Sequence, residues 1–351
     1  MENRRTFIKQ LSAISLVSCS PSLLSANSLG NVKPVATKTN DKIWACLMHL
    51  SFNFAGGINN KRWGNGPRKE FEPEQSLWDD AIKTMADNGI NMLIINLDDS
   101  ILWHSHPEIS LRNSWTPERM RNELTKIRKL GIEPIPMLNF STTHDAWLGK
   151  YSKMVSTKPY YKVCSDLINE AIDIFDVPRF IHLGMDEETV EHQSGFDHVV
   201  VRQEEQWWGD LYYYISEAMI RGVRPMMWAD YVWHHPEMFF KMMPKSVLQC
   251  NWYYGEKFDK SQTYVKAYID LAKEGYDQLP TASNDGIIYG NANNKSIGNT
   301  VDFCSENIDS NHLLGFMQTF WMPTIEKFRP NIIQAIELTG AAKQKYDLKH
   351  K

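Results

Sequence analysis

Two apolar runs and the helix between them decide the fold. Asn91-Met92-Leu93-Ile94-Ile95-Asn96-Leu97 is nearly unbroken in apolar character. A helical pattern then opens on Thr116-Pro117-Glu118 and stops at Gly131, before a second run, Ile132–Leu138. Thr is a good N-cap because its oxygen accepts an otherwise unpaired backbone N–H, and Pro is tolerated at the first helical position, where no N–H is needed. Neither run alternates polar with apolar as a half-exposed antiparallel strand would. Both read as strands of a parallel sheet covered on each face.

The same rhythm extends in both directions. Upstream, Ile43–Leu50 reads as a strand, followed by a helix over Ser76–Asn88 with Ser76 as N-cap and Gly89 beyond its end. Downstream come helix Tyr160–Phe175, strand Arg179–Met185, helix Glu204–Arg221, strand Arg224–Trp228 and helix Pro236–Met242. Strand Val247–Asn251, helix Thr263–Glu274 and a weak strand at Asp277–Ala282 lead to a last pair, Leu314–Phe320 and Ile325–Gln344. Eight strands over residues 42–351, seven of them followed by a helical pattern, predict a single (β/α)8 TIM barrel. A doubly wound open sheet would place a glycine-rich phosphate turn before an early helix, and Ala55-Gly56-Gly57 lacks that helix.

Composition narrows the function. The net charge is only −4 and the basic residues are scattered, which argues against a nucleic-acid partner. The chain is rich in aromatics, with 12 Trp, 14 Tyr and 15 Phe. Most belong to the core, as Trp207 and Trp208 on a helix would, but a few are expected to stack on sugar rings. Cys46 and Cys250 lie in apolar runs and read as buried thiols, and the five cysteines form neither a disulfide framework nor a zinc set. Without an HxH or HExxH pattern, no metal or other cofactor is expected.

Residues 1–30 read as a targeting segment. Arg4-Arg5-Thr6-Phe7-Ile8-Lys9 resembles a twin-arginine export motif, and an apolar stretch from Leu11 to Val17 follows. Leu16-Val17-Ser18-Cys19 resembles a bacterial lipobox, so a lipid on Cys19 would tether the mature protein to a membrane. Residues 31–41 read as a flexible tether. The expected location is the periplasm or a membrane surface facing it.

In such barrels the chemistry lies at the C-terminal ends of the strands. Reading those positions in order gives His49 and Asn53, then Asn96, Asp98 and Asp99, then Asn139, His144 and Asp145. Strand four delivers Asp186, Glu187 and Glu188, and strand five Trp228, Asp230 and Tyr231. Strand six delivers Trp252, Tyr253 and Tyr254, and strand eight Trp321. Carboxylates beside aromatic walls suit a glycosidase, which protonates a leaving oxygen and stabilises an oxocarbenium-like transition state. Three adjacent acids repel one another, so at least one should hold its proton near neutrality. Glu188, which begins the loop Thr189–Gly195, reads as structural. Asp186 and Glu187 can share one site only if the strand ends there and the backbone turns.

These residues resemble family 20 glycoside hydrolases, the β-N-acetylhexosaminidases. His182-Leu183-Gly184-Met185-Asp186-Glu187 is similar to that family's His-x-Gly-Gly-Asp-Glu, and Pro136-Met137-Leu138-Asn139 with His144 to its strand-three segment. Trp228-Ala229-Asp230, Trp252-Tyr253-Tyr254 and Phe320-Trp321 are similar to its aromatic segments. The resemblance implies that Glu187 is the general acid/base and that Asp186 orients the substrate's acetamido group as internal nucleophile. It implies that Tyr253 or Tyr254 hydrogen-bonds that group, that Trp228, Trp252 and Trp321 wall the pocket, and that His144 supports the acid pair through a hydrogen-bond chain. The family's strand-one arginine has no counterpart, Asn139 replaces an acid, and Met322-Pro323 follows Trp321 in place of a glutamate. The side that grips ring hydroxyls is therefore rebuilt, with Asp98, Asp99, His104 and Arg62 as candidate replacements.

Two further readings stay open. One is a glycosidase on sugars without an acetamido group, with Glu187 as acid and a distant base such as Asp98 or Asp230. The other is a non-catalytic carbohydrate-binding lipoprotein that keeps the barrel and its aromatic platform.

Overall fold

A computed structural model describes residues 42–53, 68–284 and 293–350. The twin-arginine segment, Cys19, the tether, Ala55-Gly56-Gly57 and Arg62 lie outside the described residues. Eight parallel strands carry the fold: β1 (Ile43–His49), β2 (Met92–Asn96), β3 (Glu133–Met137), β4 (Phe180–His182), β5 (Arg224–Trp228), β6 (Leu248–Cys250), β7 (Thr281–Ser283) and β8 (Gly315–Pro323). The sheet order is β6-β5-β4-β3-β2-β1-β8-β7. Parallel bridges Gln249↔Gln278 and Trp252↔Thr281 join its two edges, with Leu279 N donating to Gln249 O at 2.9 Å and Thr281 N to Asn251 O at 2.9 Å. The sheet is thus a closed (β/α)8 barrel with no open edge to cap.

A main helix follows each strand: α1 (Gln75–Asp87), α2 (Pro117–Lys129), α3 (Lys158–Ile174), α4 (Glu204–Ile220), α5 (Pro236–Met242, preceded by the single helical turn Tyr231–His234), α6 (Thr263–Lys273), α7 (Ser296–Asn307) and α8 (Arg329–Lys349). Thr116 caps α2 as the sequence predicts, its Oγ1 accepting from Arg119 N at 3.1 Å. Ser76 does not cap α1. The helix starts one residue earlier with Glu74 at the N-cap and no side-chain cap bond, and Ser76 Oγ instead accepts from Arg329 Nη2 of α8 at 3.2 Å. Helix α7 was not read from the sequence. Its buried face, mainly Ile297, Thr300, Val301 and Cys304, is too sparsely apolar to stand out among Ser, Gly and Asn.

Alternation along each strand divides the core in two. On β1, Ile43, Ala45 and Leu47 point into the barrel, while Trp44, Cys46 and Met48 pack beneath the helices. On β5, Met226 and Trp228 point inward and Met227 outward. Cys46, Cys164, Cys250 and Cys304 are buried free thiols. No described helix is long and apolar enough to cross a membrane.

Candidate active site

The β4 strand ends at His182, and the chain then turns sharply. Gly184, Met185 and Glu187 all adopt left-handed backbone (φ 72°, 73° and 55°). This turn breaks the two-residue alternation and brings Asp186 and Glu187 to the same mouth of the barrel. Asp98 after β2 and Trp321 in β8 are also left-handed, at φ 40° and 47°. Such conformations cost of order 1–3 kcal/mol each in non-glycine residues and gather where function holds them in place.

His144 joins the two acids directly rather than through a chain. Its Nε2 lies 3.3 Å from Asp186 Oδ2 and 3.3 Å from Glu187 Oε2. Asn139 Nδ2 donates to Asp186 Oδ1 at 3.0 Å, and Ser141 Oγ donates to the Asp186 carbonyl. Asn139 is fixed in turn by its N–H to Asp98 Oδ1 (3.2 Å), while its carbonyl accepts from Trp147 Nε1 (2.9 Å). Asp98 is fully buried beneath the site and acts on it through Asn139. Thr143 Oγ1 donates to the Glu187 carbonyl at 2.7 Å.

Asp230 fastens the next strand end. One of its oxygens accepts from Glu187 N at 3.1 Å and the other from Trp252 Nε1 at 2.7 Å. The Trp252 ring stacks on Tyr254 at 4.9 Å, and Tyr254 OH accepts from Trp321 Nε1 at 3.0 Å. Trp252, Tyr254 and Trp321 therefore form one connected wall. Trp228 does not join it. Fully buried among the inward-facing side chains, between His182 (4.5 Å) and Trp321 (5.7 Å), it is a floor and not a wall. Tyr253 turns to its own loop, donating to Lys257 O at 3.0 Å, so Tyr254 is the hydroxyl of the pair placed against the indoles.

Proton affinities follow from these contacts. Burial acts most strongly on His144 and opposes its charge, but Asp186 and Glu187 outweigh it and hold the imidazole protonated well above its usual range. For Glu187, burial is again the largest influence and pushes upward. Hydrogen bonds and charge from His144 and His192 reverse it and keep the carboxyl below the usual range. Asp230 is pushed well up by burial and then by the charges of Asp186 and Glu187, and Asp98, bonded to Asn139, is raised as well, chiefly by burial. Like-charge repulsion thus falls on Asp230, where the sequence suggested one of three adjacent acids.

Glu188 turns to a different partner from Glu187. It is buried against Arg202, whose Nε donates to Glu188 Oε2 at 3.1 Å and whose Nη1 donates to Asp210 Oδ2 at 3.0 Å. Asp99 is tied to Asn53 Nδ2 at 2.9 Å, and the His104 backbone N–H donates to Glu170 at 2.7 Å. Neither residue faces the acid pair.

His192 was missed by the sequence reading. Its Nε2 lies 3.4 Å from Glu187 Oε1, on the other carboxylate oxygen from His144. Only a single histidine in a polar loop marked it, so no pattern could have selected it. A cleft of about 980 Å³ opens from Glu187 and His192 across the ends of β5 and β6. The ligand atoms of His144, Asp186 and Glu187 lie within 4.8 Å of one another, close enough to hold a cation as well as a proton.

No family model matches the chain, and no curated protein matches it. Solved structures do resemble it. A β-N-acetylhexosaminidase from Bacteroides fragilis shares 12% identity at a TM-score of 0.58, covering 85% of this chain and 65% of that one. A family 20 exo-β-N-acetylglucosaminidase from Vibrio harveyi, in complex with N-acetylglucosamine, shares 12% identity at 0.57, covering 88% and 57%. A mutant β-hexosaminidase from Streptomyces plicatus, in complex with its product, shares 12% identity at 0.59, covering 87% and 68%. The chain spans less than two thirds of the length of the first two. At these identities the likeness establishes the shared barrel fold.

Proposed function

We propose that this protein is a glycoside hydrolase that removes β-linked N-acetylhexosamine residues with retention, using the substrate's acetamido oxygen as nucleophile. The observation that carries the reading is the single imidazole, His144, set 3.3 Å from both Asp186 and Glu187 at the mouth of the barrel. The likeness to solved β-N-acetylhexosaminidases supports it at the level of fold.

His144 and His192 hold Glu187 ionised, so its catalytic proton must come from a neighbour. His144 stores that proton within reach of Glu187 Oε2. A bound sugar excludes water and disfavours the two facing charges, so the proton passes to Glu187 with no change in net charge. Glu187 then gives it to the glycosidic oxygen as the bond to C1 breaks and the acetamido oxygen bonds C1. Asp186, held by Asn139, accepts the acetamido N–H and stabilises the positive charge that develops on the resulting ring. Tyr254, oriented by Trp321, hydrogen-bonds the same group. Water, losing a proton to Glu187, then opens the ring and releases the sugar with its configuration retained.

The alternative bases are poorly placed for a second mechanism. Asp98 is sealed beneath Asn139, and both oxygens of Asp230 already accept N–H bonds. The test is substrate choice in Asp186→Asn. This variant should lose about 10²-fold or more in kcat on nitrophenyl β-N-acetylglucosaminide, and wild type should cleave the plain β-glucoside far more slowly. Equal wild-type rates on both substrates would reject assistance by the acetamido group. The same proposal places the mature protein outside the cytoplasm through the twin-arginine segment, with a lipid on Cys19. Mass spectrometry of the mature N-terminus tests that part.

A further inference from the structure

The cleft lined by Glu187, Trp252 and Tyr254 extends past these residues to Tyr264 and Glu256. Its volume of about 980 Å³ lies at the upper end for ligand pockets and leaves room for more than a single ring. Beyond Glu187 and Tyr254 it continues over the loops after β5 and β6, on the side left for a departing sugar.

Its wall is aromatic and ordered. Tyr264, at the start of α6, lies nearly parallel to Tyr253 (16°, centroids 6.3 Å apart) and to Trp252 (27°, 6.5 Å). At those separations the rings are offset sideways, so faces stay uncovered along the row. The edge of Trp233 supports Tyr264 at 4.5 Å, yet Tyr264 remains 41% exposed. A large aromatic propped in a fixed plane and left open to solvent suits stacking against a pyranose face.

Apart from its imidazoles, His192 beside Glu187 among them, the exposed charged side chains of the cleft are acidic. Glu191, Glu204 and Glu256 line it at exposed positions. Among the described lining residues there is no lysine, and the one arginine, Arg202, is buried against Glu188 and Asp210. Burial, then His235 and His192, hold His234 below its usual range, so it adds no compensating charge near neutrality.

Resting on the glycosidase reading, we infer that this cleft receives the leaving-group side of an oligosaccharide, neutral or amine-bearing and not carboxylated or sulfated, with Tyr264 as its outer stacking platform. The protein then acts at the end of a chain rather than on a disaccharide. A reaction that strips acidic sugars from a mixed glycan would have to precede it.

Calorimetry of an N-acetylglucosamine tetrasaccharide binding to Glu187→Gln, which removes turnover, tests this. Adding Tyr264→Ala should weaken binding about tenfold, and Tyr264→Phe should stay within about twofold of the parent. Unchanged affinity in the Tyr264→Ala background would overturn the platform. A uronic-acid-containing tetrasaccharide of equal length should bind at least about tenfold more weakly, and equal or tighter binding would overturn the charge selection. In the Glu187-containing enzyme, Tyr264→Ala should cost more kcat/KM on the tetrasaccharide than on nitrophenyl β-N-acetylglucosaminide. If the wild type leaves that glycoside uncleaved while the tetrasaccharide still binds through Tyr264, the hydrolase reading fails and the cleft assignment stands.

Discussion

Gly184 and Asn139 are packed so closely that no side chain fits between them. A Cβ on Gly184 would overlap Asn139 Oδ1 and lie 2.8 Å from the Asn139 Cα, and Gly184 also sits at φ +72°. Asn139 is the residue that fixes Asp186. Gly184→Ala should therefore destabilise the protein by about 1–3 kcal/mol and displace Asp186. Denaturant unfolding with activity measured alongside checks both effects. Combining it with Asn139→Ala should recover part of that stability without activity, since the backbone approach and the left-handed φ remain, and simple additivity would argue against the side-chain contact.

His144 should titrate far above the usual histidine range of about 6.5. Its raised pKa contributes stability that is complete below that value and is lost as pH rises through the folded-state pKa. Glu187, whose pKa is lowered, contributes stability that is present above about 4.5 and lost as pH falls through its folded value. The cluster is thus most stabilising at mildly acidic pH, between about 4.5 and 6.5, and its contribution declines as pH rises from there. NMR titration of the His144 ring should show Asp186→Asn and Glu187→Gln each lowering its pKa. A wild-type value near 6.5 would exclude the imidazole as proton store.

His192 helps hold Glu187 ionised from the solvent side. Replacing it with Gln should raise the Glu187 pKa and move the alkaline limb of kcat/KM, where the acid loses its proton, to higher pH, with a smaller effect on the plateau. A pH–rate profile superimposable on that of the wild type would remove His192 from the proton balance.

Arg202 is a structural cation. Arg202→Met leaves Glu188 and Asp210 buried without their partner and should cost about 3–5 kcal/mol. Urea unfolding measures this directly. A loss under 1 kcal/mol would mean that the two acids find protons or other partners.

Much of this was legible in the residues. The Asn91–Leu97 run, the Thr116-Pro117 cap and the Gly131 stop gave a βαβ unit, and repetition gave the barrel. The strand ends carried Asp186, Glu187, His144 and Trp321 because parallel barrels expose those positions. Trp228 was misjudged as a wall although the two-residue period already placed it with Met226 inside. Long-range pairings were not legible. Arg202 meets Glu188 and His192 meets Glu187 only after a loop folds back, and neither spacing has a periodic signature. The same holds for Asp230, whose raised proton affinity depends on burial and on two charges from another strand.

The central claim is that Glu187 is the acid of a hydrolase that acts on acetamido sugars. Steady-state turnover of nitrophenyl β-N-acetylglucosaminide by wild type and Glu187→Gln tests it most directly. The account predicts measurable hydrolysis by the wild type and a kcat at least about 10²-fold lower in the variant, with KM changed little. Full turnover by Glu187→Gln would contradict it.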